Sequence, residues 1–161
     1  MNEPSKRIAI LGNSGSGKSW LAKELARQTE APILDLDTIF FEPGKIAVPR
    51  PSATVLADLE RFCVNHEAWI IEGCYGDIVA HALRWEPELI LLDPGESECL
   101  RHCRARPWEP HKYASKTEQD SKLDFLLAWV SEYYRREGPM SLSGHRALFD
   151  AYSGPKRLMG R

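Results

Sequence analysis

The sequence predicts an α/β fold in which a parallel sheet carries helices on both faces. Three observations predict it. Short apolar runs rich in strand formers alternate with amphipathic helical stretches along the chain, the pattern of strand–helix units around a parallel sheet. A glycine-dense turn, Gly12-Asn13-Ser14-Gly15-Ser16-Gly17-Lys18-Ser19, joins the first apolar run to the first helix. Asp35, Asp37, Glu72 and Asp93 all fall at the carboxyl ends of predicted strands, the edge at which such sheets bind ligands.

The elements follow in order. Arg7 to Leu11 reads as a buried strand, and Leu21, Ala22, Leu25 and Ala26 repeat at helical spacing after the turn. Pro32 to Asp37 reads as a second strand ending in acids, followed by a proline-bearing loop. Ser52 is placed to cap a helix with Val55, Leu56, Leu59, Phe62 and Cys63 on one face. Ala68 to Glu72 is a third strand closed by Gly73, a helix covers Asp77 to Arg84, and Leu89 to Asp93 is the fourth strand. Glu96 to Arg106 suits a helix that Pro107 and Pro110 end. A polar connection then reaches an amphipathic helix with Leu123, Leu126, Leu127, Val130 and Tyr134 on one side. Arg146 to Tyr152 is expected as the last strand, and Pro155 as the start of a final helix.

The turn spells G-x-x-x-x-G-K-S between a strand and a helix. Its glycines let backbone N–H groups curl around an anion, and the helix N-terminus adds a dipole that favours phosphate. Gly12 through Trp20 are therefore the candidate nucleotide-binding residues. Lys18 is the group for the β- and γ-phosphates, and the Ser19 hydroxyl is the Mg²⁺ ligand. Trp20 stands where many such loops carry a second hydroxyl, so only its backbone N–H is available to the α-phosphate.

Composition bounds the rest. A chain of 161 residues, 43% hydrophobic and with a formal charge of −2, suits one domain, residues 1–161, with a substantial core. No excess of positive charge recommends a nucleic-acid partner. The first residues lack the apolar run of a signal peptide and no stretch reaches membrane-spanning length, so a cytoplasmic protein is expected. Cys63, Cys74, Cys99 and Cys103 are then expected as thiols. Cys99, His102, Cys103 and the following His111 have a spacing that could hold zinc, but the two cysteines equally suit a core-facing stripe.

GNSGSGKS, LDLD at the end of the second strand, WIIEGCYG and LILLDPGESECLRHCRAR occur here in that order. With these pieces the chain resembles the small P-loop kinases of the adenylate kinase and shikimate kinase type, most of all the adenylate-kinase-related "DNA topology modulation" proteins. The resemblance covers nearly the whole chain. It implies a five-stranded parallel sheet, an acceptor-binding region over residues 40–66 and a lid over residues 106–122. It also implies ATP, Mg²⁺ and a small-molecule acceptor. By likeness, Asp37 orients or deprotonates an acceptor hydroxyl, Glu72 holds the water shell of the metal, and lid arginines neutralise the moving phosphoryl group. Arg106 is the first choice for that last role, with Arg101 and Arg104 beside it; Lys18, Asp37 and Arg106 form the candidate catalytic set. A helix or turn cap before Thr38 is the structural alternative for Asp37, and a surface acid at a strand end that for Glu72.

One departure matters. Relatives place a phosphate-gripping arginine four residues beyond the third-strand acid, where this chain has Gly76. A nucleoside monophosphate acceptor then depends on Arg50 or Arg84 from elsewhere, and a neutral hydroxyl acceptor stays open. Two functions are therefore carried forward: ATP-dependent phosphorylation of a nucleoside, nucleotide or hydroxy compound, and a regulatory nucleotide-binding module with slow or no acceptor phosphorylation.

Overall fold

The computed structural model describes residues 6–45, 47–110 and 112–160. In chain order these form β1 (Arg7–Gly12), α1 (Lys18–Thr29), β2 (Ile33–Asp35), α2 (Asp37–Phe40), α3 (Ser52–Asn65), β3 (Trp69–Gly73) and α4 (Gly76–Ala82). There follow β4 (Glu88–Leu92), α5 (Glu96–Arg104), α6 (Lys116–Ser121), α7 (Leu123–Glu132), α8 (Leu142–Ala151) and β5 (Lys156–Met159). The five strands form one sheet in the order β2-β3-β1-β4-β5, with every neighbouring pair parallel.

Strand alternation divides the core between the two faces. Ala9, Leu11, Ile71, Leu89 and Leu91 point to one face and pack against residues of α3, α4 and α8. Ile8, Ile10, Ile70, Ile90 and Leu92 point to the other, against Leu21 and Ala22 of α1. The central strands are apolar on both faces because both are covered. Burying each of the leucines and isoleucines contributes about 1.5–3 kcal/mol. A smaller cluster joins Cys99 and Cys103 of α5 to Val130 of α7. All four cysteines are free thiols.

The last two elements exchange identities relative to the sequence expectation. Arg146 to Ala151, within the stretch expected as a strand up to Tyr152, belongs to α8, and the chain after Pro155 forms β5 rather than a helix. The Ser141 hydroxyl accepts the Gly144 N–H at 3.0 Å and starts α8. His145, Leu148, Phe149 and Tyr152 then fall on one side, and the last three meet the first core cluster. β5 is an edge strand paired only with β4, so Lys156, Arg157 and Leu158 stay exposed and no apolar run marks it. Three other boundaries differ. β2 ends at Asp35, so Asp37 opens a helix instead of closing a strand. Ser52 is the first residue of α3 and makes no cap hydrogen bond. Tyr134 lies beyond the end of α7, and α6 stands within the connection before it.

Candidate functional site

The glycine-rich turn leaves the carboxyl end of β1 and enters α1. Gly15 and Gly17 have φ of +78° and +95°, in the left-handed region that other residues enter at a cost of about 1–2 kcal/mol. Gly15 is also closely approached: a Cβ there would run into the Cys99 carbonyl and stand 2.8 Å from the Cys103 sulfur. The loop is held from behind at two further points. The Asn13 side-chain amide donates to the Val130 carbonyl at 3.1 Å, and His102 Nδ1 donates to the Gly15 carbonyl at 2.6 Å. Lys18 Nζ donates to the Asn13 carbonyl at 2.6 Å. The Ser16 hydroxyl is buried with no hydrogen-bond partner among the described residues, at a cost of about 1–3 kcal/mol.

Register places the acids. Asp35 pairs with Glu72, and Glu72 with Ile10, so Glu72 lies on the same face of the sheet as Ile70 and Ile10, the face covered by α1. The first turn of α1 therefore meets it, and the Ser19 hydroxyl donates to Glu72 Oε2 at 2.8 Å. Burial pushes the Glu72 carboxyl above its ordinary range; the Lys18 charge opposes this and the neighbouring Asp35 carboxylate adds to it. A dication suits this donor set, since it would replace the proton that two close carboxylates otherwise share. Mg²⁺ bound together with substrate phosphates needs only one or two protein oxygens.

Asp35 and Asp37 have different tasks. Asp35 Oδ1 accepts the Asp37 N–H at 2.9 Å, and its carbonyl accepts from the Thr38 hydroxyl. Asp35 thus makes the turn into α2. Asp37 points instead at other side chains: Tyr75 donates its hydroxyl to Oδ1 at 2.6 Å, and Lys112 Nζ lies 2.8 Å from Oδ2. Burial opposes ionisation of Asp37, but the Lys112 charge and the hydrogen bonds from Lys112 and Tyr75 outweigh it and hold the carboxyl below its usual value. Glu109 lies 3.8 Å from Lys112 and 3.7 Å from Arg106. Tyr75 is fixed by stacking on Phe40, ring centroids 4.3 Å apart.

Lys18, Ser19, Glu72, Asp37, Lys112 and Arg106 all line one cavity of about 1440 Å³. That exceeds the roughly 300–1,000 Å³ typical of one small ligand. Ser14 to Trp20 line it too, whereas Gly12 and Asn13 support the loop from beneath. Trp20 is exposed. Arg50, Arg101 and Arg104 do not line the cavity: Arg50 pairs with Asp58 at 2.7 Å and donates to the Ile39 carbonyl, and Arg101 pairs with Glu98 at the surface. Arg84 lies beside Glu60 and His81. Gly76 opens α4 with its N–H on the Pro139 carbonyl, and a Cβ there would stand 2.5 Å from that oxygen. Among the described residues no three His, Cys, Asp or Glu side chains gather as a metal cluster; His111 lies outside them. Sequence reasoning missed Lys112 and Tyr75. Tyr75 stands within WIIEGCYG, but a lysine in a polar connection carries no signal of its target.

No known family profile matches the chain. Part of it is similar to the tRNA dimethylallyltransferase of Helicobacter pylori, 39% identical over 64 residues, which are 39% of this chain and 21% of that one. The enzyme of the same name from Campylobacter jejuni is 39% identical over 59 residues, 36% of this chain and 20% of that one. The chain thus spans about a fifth of the length of these relatives. Among solved structures, shikimate kinase from Bacteroides thetaiotaomicron superposes with a TM-score of 0.53 at 20% identity over 80% of both chains. The YorR protein of Bacillus subtilis, solved with phosphorylated GDP, superposes with a TM-score of 0.51 at 13% identity, over 95% of this chain and 84% of that one. With its all-parallel five-stranded sheet and phosphate loop, the chain has the fold of the P-loop kinases.

Proposed function

We propose that this protein transfers the γ-phosphoryl group of ATP to a hydroxyl of a small molecule. The observation that carries the reading is the placement of Lys18 and Asp37 on one cavity with room for donor and acceptor together. The triphosphate lies along the loop N–H groups and the N-terminus of α1, and Lys18 exchanges the Asn13 carbonyl for the β- and γ-phosphates. Ser19 would hold Mg²⁺, with Glu72 fixing its water shell; when bound, the metal offsets the negative charge of the phosphates. Asp37 takes the proton of the acceptor hydroxyl as that oxygen forms its bond to phosphorus. The bond from phosphorus to the bridging oxygen breaks, and its electron pair leaves on ADP. Arg106, on the same cavity, neutralises charge on the moving group.

Two features favour a neutral acceptor. The Gly76 position has no space for a phosphate-gripping side chain, because the Pro139 carbonyl fills it. Phe40, Phe41 and Tyr75 line the cavity near Asp37, walls that suit a ring-bearing hydroxy compound or nucleoside. The test is ATP consumption with a panel of nucleosides, nucleotides and hydroxy compounds, followed by Asp37→Asn with the best acceptor. The variant should keep ATP affinity while kcat falls about a hundredfold to ten-thousandfold, the usual worth of a positioned base. Normal turnover by the variant removes the base role.

The likeness to tRNA dimethylallyltransferases supports a second reading, in which a group other than phosphoryl is transferred. Mass spectrometry of the product separates the two: the kinase reading requires an added phosphoryl group. A panel that yields no product favours the regulatory module.

A further inference from the structure

Both oxygens of Asp37 are engaged, one by Tyr75 and the other by Lys112. The two partners differ in how readily they leave. Tyr75 is buried and stacked on Phe40, so it stays. Lys112 reaches in from the connection between α5 and α6 on a flexible four-carbon stem, and Glu109 at 3.8 Å offers its ammonium a second carboxylate. The Lys112–Asp37 contact is therefore the exchangeable one. Both side chains are about one-fifth exposed, 20% and 23%, so the contact is neither sealed in the core nor freely solvated.

We propose that Lys112 is a specificity-determining residue that masks Asp37 until a firmly bound acceptor hydroxyl displaces it. A base open to the cavity would activate water as well as an acceptor, and water is always present. With Lys112 on Oδ2, a lone water gains too little to take its place. An acceptor anchored along the aromatic wall delivers its hydroxyl with the rest of its binding free energy behind it. Lys112 then moves to Glu109, and Asp37 Oδ2 takes the acceptor proton. The same contact ties the connection that carries Arg106, Glu109 and Lys112 down over the cavity.

This inference rests on the kinase reading, yet its test needs no acceptor. ATP hydrolysis with Mg²⁺ alone is measured for the wild type, Lys112→Met, Lys112→Arg, Asp37→Asn and the Lys112→Met/Asp37→Asn double variant, with ATP binding followed by calorimetry. Lys112→Met should raise hydrolysis roughly tenfold or more, part of the hundredfold or greater contribution of a positioned base. Lys112→Arg, which can still pair with the carboxylate, should stay near the wild-type rate. In the double variant the gain should vanish, because the base that produced it is gone. A Lys112→Met rate that is unchanged or lowered, or a gain that survives Asp37→Asn, overturns the masking role. If the wild type binds no ATP, the nucleotide reading falls and takes this inference with it. ATP binding without a gain removes masking alone and leaves the kinase reading standing.

Discussion

Lys18 lies on the Asn13 carbonyl, a partner that a triphosphate would replace with charged oxygens. Lys18→Ala should therefore lower ATP affinity about ten- to a hundredfold, the worth of a hydrogen bond to a charged group. Calorimetry of both proteins checks this, and equal affinities would set the loop assignment aside. The residue scale also shows where sequence reading reaches its limit. A carboxylate two residues before another looks the same in the sequence whether it caps a turn or faces a substrate. Here both acids line the cavity, but Asp35 also caps the turn into α2 while Asp37 turns its oxygens to Tyr75 and Lys112, a difference that depends on where the strand stops. Gly76 illustrates the opposite case. Its identity was plain in the chain, but the reason for it, a carbonyl from Pro139 in the space of a side chain, lies in a segment more than sixty residues away.

Elements were legible where burial writes itself into composition. β1, β3 and β4 are central strands covered on both faces, so they read as continuous apolar runs. The phosphate loop was legible because its chemistry is local: glycines for the turn, a lysine and a serine at the helix start. α8 and β5 were not, since seven residues with apolar positions close together fit either period, and an edge strand needs no apolar run. The stretch from Arg106 to Lys122 carries the prediction that belongs at this scale. α6 buries none of its described side chains, and the connection is held to the sheet side through Lys112. Amide exchange over α6 should be faster than over β1, β3 and β4, and should slow when ATP binds, as a lid over the cavity requires. Mass-spectrometric hydrogen exchange with and without nucleotide checks this. Equal protection in α6 and the central strands would argue against a lid.

At the scale of the whole molecule, His145 joins three parts of the chain. Its Nε2 donates to the Cys74 carbonyl at 2.8 Å, so its Nδ1 accepts from the Tyr133 hydroxyl at 2.8 Å. Burial lowers its pKa from 6.5 to about 4. The unfolded chain therefore binds a proton between pH 6.5 and about 4 that the folded chain refuses. The stabilisation that His145 contributes is fully present above pH 6.5 and declines as the pH falls to about 4, by at most about 1.4 kcal/mol per pH unit. Urea unfolding across that range should show the decline, and His145→Gln should flatten it. An unchanged slope in the variant would assign the dependence to other groups. The strand order has a consequence for how the chain is made. β1 leaves the ribosome before both of its sheet neighbours, β3 and β4, and Ile8 pairs with Ile70 on one side and Glu88 on the other. Until those residues emerge, Ile8 to Leu11 is an apolar ribbon without its lateral partners. During synthesis the centre of the finished molecule is thus the segment most in need of a chaperone's shelter.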